Sequence, residues 1–171
     1  MRYKITADST CDLGRDLIER YDIGIHVNIS SDFSCSHQNA KLAAADLPNV
    51  YVVDSRNLST GHGHIVLEAA RMAAEGMGPE EIVQQLEALT ARVDASFILE
   101  QLEYMKKSGR CSAVALLGAN LLKLRPCIEV KDGKASVVAS DCADKVSFGN
   151  GVCLPHRMTL RIVSDDWETD L

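Results

Sequence analysis

The sequence has no apolar run near the ~20 residues needed to cross a bilayer, no excess of positive charge and no Cys-x-x-Cys pair. It also has no Gly-x-Gly-x-x-Gly or Walker A pattern, so the dinucleotide and P-loop fingerprints are missing. A Gly-x-Ser-x-Gly nucleophile elbow is missing too. Each lack excludes something. The 18 Lys and Arg stand against 24 Asp and Glu, for a net charge of −6. That balance argues against a nucleic-acid or anionic-membrane surface, either of which needs basic patches. Lys106, Lys107 and Arg110 are the densest basic group, and three charges do not make such a patch. No two of Cys11, Cys35, Cys111, Cys127, Cys142 and Cys153 have zinc-knuckle spacing. Free, mostly buried thiols in a reducing compartment are expected. The opening Met-Arg-Tyr-Lys-Ile-Thr-Ala-Asp has no apolar signal-peptide core. With Met1 as the start, a cytoplasmic protein is expected.

What is present suits a soluble α/β chain. The 171 residues are 46% hydrophobic and 25% charged, enough to bury a core as one domain or two small lobes. Residues 3–7 predict a strand. Asp12 is a good N-cap for a helix to Tyr21. Ile25, Val27 and Ile29 alternate with His26 and Asn28, so residues 23–29 predict a second strand. A hydroxyl cluster follows, Ser30-Ser31-Asp32-Phe33-Ser34-Cys35-Ser36, and a helix begins within it and runs to about Ala45. The run Val50-Tyr51-Val52-Val53 suits a strand buried on both faces. Strand, helix, strand, helix, strand is the signature of a parallel sheet with covering helices.

Further on, helices are predicted over 61–75 and from Pro79 through Val93, and strands over 96–99, 124–130 and 135–139. The last two are joined by the turn Lys131-Asp132-Gly133-Lys134. Pro126 suggests an edge or a strand start. Two more helices are predicted over 100–107 and 112–122. The second is nearly all Ala and Leu and should be buried or line something apolar. After Ser140 no period is sustained.

A parallel sheet takes ligands beyond the carboxyl ends of its strands. Asp8-Ser9-Thr10, residues 30–36 and residues 54–60 all fall there. Free backbone N–H groups at a helix start, with Ser side chains, make a seat for an anion; helix-capping loops are the plainer alternative. His62-Gly63-His64 reads as a pair of surface imidazoles ahead of a metal half-site. Asp8, Asp12, Asp32 and Asp54 could in principle gather Mg²⁺, but Asp12 is better used as a cap and Asp54 as a loop organiser. A nucleophilic Ser34 activated by His37 is disfavoured by their spacing on one helix. Arg110 could pair with an anion or with Glu103. No catalytic residue, metal or cofactor is assigned.

Several stretches in the same order resemble the DegV family. Ala7-Asp8-Ser9-Thr10-Cys11-Asp12-Leu13 is similar to its opening strand and loop. Ile29-Ser30-Ser31-Asp32-Phe33-Ser34-Cys35-Ser36-His37-Gln38 resembles its Ser-Ser-x-x-Ser-Gly-Thr-Tyr-Gln motif. Residues 52–61, Val-Val-Asp-Ser-Arg-Asn-Leu-Ser-Thr-Gly, match a third signature. Residues 102–110, 117–126 and 129–134 resemble the family's second lobe. The resemblance covers nearly all of residues 1–134.

The resemblance implies a two-lobed α/β fold: a parallel sheet with flanking helices in a shortened N-terminal lobe (1–60), a mixed α/β C-terminal lobe (61–140) and a divergent tail (141–171). It implies a lipid carrier, not an enzyme. A long-chain fatty acid would lie between the lobes, its carboxylate held by Ser31 at the strand end and Ser34 at the helix entry. A partner fatty acid kinase would receive it, and the 112–122 helix could wall the tunnel. The departures are local. The family's few dozen residues between the second strand and the Ser-Ser motif, with a Thr-Ser-Gln-Pro segment, are missing after Val27. Cys35, Ser36 and His37 replace the motif's Gly, Thr and Tyr. Two other readings stay open: a degenerate relative with impaired binding, and a small enzyme acting on an anionic substrate at the Ser-rich edge.

Overall fold

The computed structural model describes residues 1–8, 21–98, 124–142, 146–148, 151–153 and 159–162. The helices predicted over 12–21 (all but Tyr21), 100–107 and 112–122, together with Arg110 and Glu103, lie outside them. Elements are numbered in order among the described residues. The first layer is a parallel sheet ordered β1-β2-β3. Its strands are β1 (Tyr3–Ala7), β2 (Ile23–Asn28) and β3 (Val50–Asp54). Ile5 pairs with Ile25 and Ile25 with Tyr51, so the central strand is hydrogen-bonded on both sides.

Three helices accompany this sheet: α1 (Ser36–Ala44), α2 (Ser59–Ala74) and α3 (Pro79–Thr90). The core joins Ile25, Val27 and Val53 of the sheet to Ile65, Ala69 and Met72 of α2, Ile82 and Leu86 of α3, and Val93. Ile25, Val27, Ile65, Ile82 and Leu86 are fully buried, and each such side chain contributes about 1.5–3 kcal/mol. By contrast, α1 buries no residue, and its Leu42 is 67% exposed. The sheet is therefore held by α2 and α3, two helices that the sequence reading placed in the second lobe or at its border.

The helix ends follow local chemistry. Gly76, at φ +83°, closes α2: its N–H donates to the Ala73 carbonyl and the Met77 N–H to that of Met72, a double cap that favours glycine. Pro79 opens α3, with Glu80 and Glu81 on its positive dipole end. The helix stops at Thr90, and Val93 belongs to the next strand. Four residues past Leu89, Val93 continues a helical stripe on paper, but its burial comes from the strand.

The second sheet is ordered β6-β5-β4-β9. It contains β4 (Val93–Ile98), β5 (Leu124–Lys131), β6 (Lys134–Cys142) and β9 (Thr159–Ile162). A short pair, β7 (Val146–Phe148) with β8 (Gly151–Cys153), stands beside it in the chain. Pro126 is the third residue of β5, an interior strand, so of the edge or strand start expected it fits the strand start. Among the described residues the pairs of β4 with β5 run from Ala95 with Val130 to Ile98 with Cys127. The residues after Ser140 are in part sheet as well. Three- and four-residue strands are too short to show a period, and β9 is placed by its partner β4.

Asn57 joins the two sheets. Its Nδ2 donates to the Val93 carbonyl at 2.8 Å, and its Oδ1 accepts the Leu58 N–H at 3.0 Å. Gly61 makes room for it, since a Cβ there would fall 2.1 Å from Asn57 Oδ1. Gly61→Ala is expected to destabilise the fold by about 2 kcal/mol or more through overpacking. Gly63→Ala, two residues along the same helix with open space around it, should be neutral or stabilising by up to about 1 kcal/mol. Urea unfolding of the two variants checks the contrast, and equal effects would refute the role given to Asn57.

Candidate functional site

The carboxyl ends of β2 and β3 carry the polar groups. Pairing in register sets Thr6, His26 and Val52 side by side, and Asn28 beside Asp54. These residues alternate with Ile25, Val27 and Val53, so they occupy the opposite face of the sheet from the apolar core. Burial on this face is nearly as deep: His26 and Asn28 are both buried.

A buried polar site must satisfy its own hydrogen bonds, and the bonding here fixes two tautomers. The Asn28 amide donates to His26 Nε2 at 3.0 Å, so the His26 ring proton sits on Nδ1 and is donated to Thr6 Oγ1 at 2.7 Å. Ser55 Oγ donates to the Asn57 carbonyl, so it accepts from His62 Nδ1 at 3.2 Å. Both imidazoles are neutral. Burial holds their pKa values below the ordinary histidine value, against the opposing pull of Asp8. His62 was read as a surface imidazole, yet it is only 8% exposed. Its burial and its bond to Ser55 come from the loop after β3, and neither is visible from a His-Gly-His triplet. Asn28 Oδ1, His62 Nε2 and His37 Nδ1 are buried without a hydrogen-bond partner among the described residues.

Next to this cluster lies a cleft of about 560 Å³, within the size range of small-molecule sites. The Ser loop lines it with Ser30, Ser31 and Asp32. From α1 come His37 and Lys41, from β3 and its following loop Val52, Asp54 and Arg56, and from α3 Glu87 and Thr90. Val52 alone among these is apolar, so the cleft suits a charged or polar group rather than a hydrocarbon chain. The Ala- and Leu-rich stretch expected to wall an apolar tunnel lies outside the described residues.

Asp54 organises the loops. Its carboxylate accepts the Ser31 N–H in a bifurcated contact, 3.3 Å to each oxygen, and the Arg56 N–H at 2.8 Å. One backbone donor of the expected anion seat is thus already occupied by an internal carboxylate. The Ser31 hydroxyl has no partner among the described residues and opens onto the cleft with Lys41. Ser34 is placed differently. Its Oγ pairs with Ser36 Oγ at 2.8 Å and accepts the Ser36 N–H at 3.2 Å, and it does not line the cleft.

The chain path also differs from the expectation. β2 ends at Asn28 and α1 starts at Ser36. Ser31 therefore sits in a turn beyond the strand, and Ser34 precedes the helix. The N-cap of α1 is Cys35, without a side-chain cap bond. Cys35 is free, as expected, and exposed, where most of the thiols were expected to be buried.

Non-glycine residues with positive φ gather at this edge: Asp8, Arg56, Ser59 and, from the β5–β6 turn, Asp132. Such conformations are uncommon and concentrate where structure around them enforces the shape. No group of three or more metal-ligating side chains is found among the described residues. No helix among them is long and apolar enough to cross a membrane.

A family model described as "Uncharacterised protein, DegV family COG1307" matches residues 24–145. The chain belongs to the DegV family. A DegV domain-containing protein of Caldanaerobacter subterraneus is 33% identical over 125 residues, covering 72% of this chain and 45% of that protein. The chain thus spans about half the length of the curated relatives it matches. Among solved structures, a stearic acid-binding protein from Eubacterium ventriosum superposes with a TM-score of 0.67 at 28% identity, covering 77% of this chain and 47% of that one. DegV from Bacillus subtilis, described as a fatty acid binding protein, gives 0.63 at 28% identity, covering 75% and 46%. The mixed α/β fold with a parallel sheet and covering helices is the DegV fold.

Sequence reasoning singled out Ser31 and passed over Ser30, Lys41, Arg56 and the buried His26–His62 pair. The third DegV signature, residues 52–61, held a clue, since it contains Arg56. The signals for His26 and His62 are absent from the sequence, because burial of a histidine depends on what packs over it.

The neutral histidines carry a consequence for stability. Their pKa values are lower in the folded chain than in the unfolded one, so below about pH 6.5 the unfolded state takes up protons that the folded state refuses. Stability present above that pH is lost as pH falls toward the folded-state values. The thermal midpoint should therefore be lower at pH 5.5 than at pH 7.5, with a smaller difference in His62→Gln. A midpoint flat across this range would contradict the buried neutral state.

Proposed function

We propose that this DegV chain binds the carboxylate of a long-chain fatty acid at the polar cleft, as a carrier and not a catalyst. The observation that carries the reading is the Ser31 hydroxyl: it is unpartnered among the described residues, and Ser31 and Lys41 both line the cleft. A hydroxyl donor next to a cation recognises a carboxylate. Ser34, bonded to Ser36 outside the cleft lining, is not part of this head-group seat. Two relatives of this fold at 28% identity are described as fatty-acid-binding, which supports the choice of acid over other anions. The acyl group is then offered to a partner fatty acid kinase, a role that rests on family resemblance. The carrier reading agrees with the hydrogen bonding, which leaves Ser34 paired with Ser36 rather than with an imidazole base.

A second reading, a relative with weakened binding, is favoured by one feature. The helix that carries His37 and Lys41 buries none of its residues, so the wall of the cleft is loosely anchored.

Solvent extraction of the purified protein followed by mass spectrometry should return a long-chain acid. Ser31→Ala should weaken binding by roughly tenfold or more, the worth of one hydrogen bond to a charged group. A well-folded protein that returns no acid and binds none added to it overturns the carrier reading.

A further inference from the structure

The tip of the β5–β6 hairpin is held by residues far away in the chain. Ser30 Oγ donates to the Gly133 carbonyl at 2.7 Å, and Arg56 Nη2 donates to the Asp132 carbonyl at 2.9 Å. The pairs are 103 and 76 residues apart, so local preference supplies neither contact. The fit is close. Gly133 has φ +83°, and a Cβ there would stand 3.0 Å from Ser30 Oγ and 3.1 Å from Asp32 Oδ2. Arg56 and Asp132, the two ends of the second bond, both hold left-handed backbone conformations, with φ of 50° and 52°. Backbone shapes of that kind persist where surrounding contacts enforce them.

Ser30, Asp32 and Arg56, which receive the hairpin tip, also line the cleft. A serine hydroxyl has one proton to donate. That of Ser30 goes to Gly133, so while the contact lasts it is withheld from any carboxylate. The neighbouring Ser31 hydroxyl is left open. Adjacent serines thus divide two tasks that one motif presents as equivalent.

We infer that Ser30 and Arg56 are positioning residues, which latch the β5–β6 hairpin onto the Ser loop and thereby hold Ser31 and the cleft in their binding shape. Affinity for the acid then depends on the backbone of residues 132 and 133, which the head group never touches. This half of the inference rests on the proposed function; the latch itself does not.

Two measurements on the full chain separate them. The first is amide hydrogen exchange of residues 131–134 without ligand. Ser30→Ala should speed exchange there roughly tenfold, the equivalent of one lost hydrogen bond, with β1–β3 unchanged. Ser30→Thr, which keeps the hydroxyl, should restore most of the protection. Gly133→Ala should open the hairpin too, and the double variant should be less than additive because the closer of its two contacts, Ser30 Oγ, is gone. The second measurement is the dissociation rate of a bound fatty acid such as oleate, which should rise roughly tenfold in Ser30→Ala and in Arg56→Ala. Unchanged hairpin exchange in a folded Ser30→Ala protein overturns the latch. Faster hairpin exchange on adding oleate also overturns it, because Ser30 would then be giving its proton to the acid. Normal latch behaviour in a protein that holds no oleate leaves the latch standing and overturns the carrier reading together with the dependence of affinity on the latch.

Discussion

The structure depends on the two-sided burial of β2. As the centre of a three-stranded parallel sheet, it hydrogen-bonds to β1 and β3 along its length. Alternation sends Ile25 and Val27 to the core built with α2 and α3, and His26 and Asn28 to the polar face. One strand therefore anchors both the hydrophobic core and the buried polar cluster of His26 and Asn28. The apolar face supplies the stabilisation that lets the other face carry buried imidazoles and amides, which cost free energy unless paired.

At the carboxyl edge the governing term is pairing of backbone groups by side chains. Asp54 takes two backbone N–H groups, Ser55 and Asn57 bond to each other, and Asn57 reaches across to Val93. Each bond is modest, about 1 kcal/mol net. Together they hold three loops in positions that positive-φ residues would otherwise leave. Order at the cleft thus comes from the loops that follow β2 and β3 and from the second sheet, whose turn reaches back to Ser30 and Arg56. The helix α1 contributes side chains to the cleft without contributing a buried face.

Much of the fold was legible because periodicity is a local property. The alternation over Ile25, His26, Val27 and Asn28, the apolar run of β3, the stripes of α2 and α3, and the Asp132-Gly133 turn were each readable from neighbours alone. Boundaries blurred where one residue satisfied two patterns: Val93 fits the end of a helix stripe and the start of a strand. The short strands near the end of the chain were illegible, since three or four residues carry no usable period and β9 takes its place from β4. For the cleft, a hydroxyl-rich loop at a parallel-sheet edge pointed to the right neighbourhood but not to the division of labour within it.

Among the described residues, the sequence by itself determined the strands and helices from β1 to β6, the parallel arrangement of the first sheet and the edge at which polar loops would gather. These follow from hydrophobic spacing and from caps and turns spanning a few residues, and family likeness then follows from motifs in one order. Tertiary structure alone decided that His26 and His62 are buried and neutral, that Asp54 occupies the Ser31 amide, and that Ser30 is bound to a turn 103 residues away. The physical reason is common to all three. Burial, charge state and the fate of a single hydroxyl proton are set by whichever groups arrive across the fold, and no local pattern encodes that arrival.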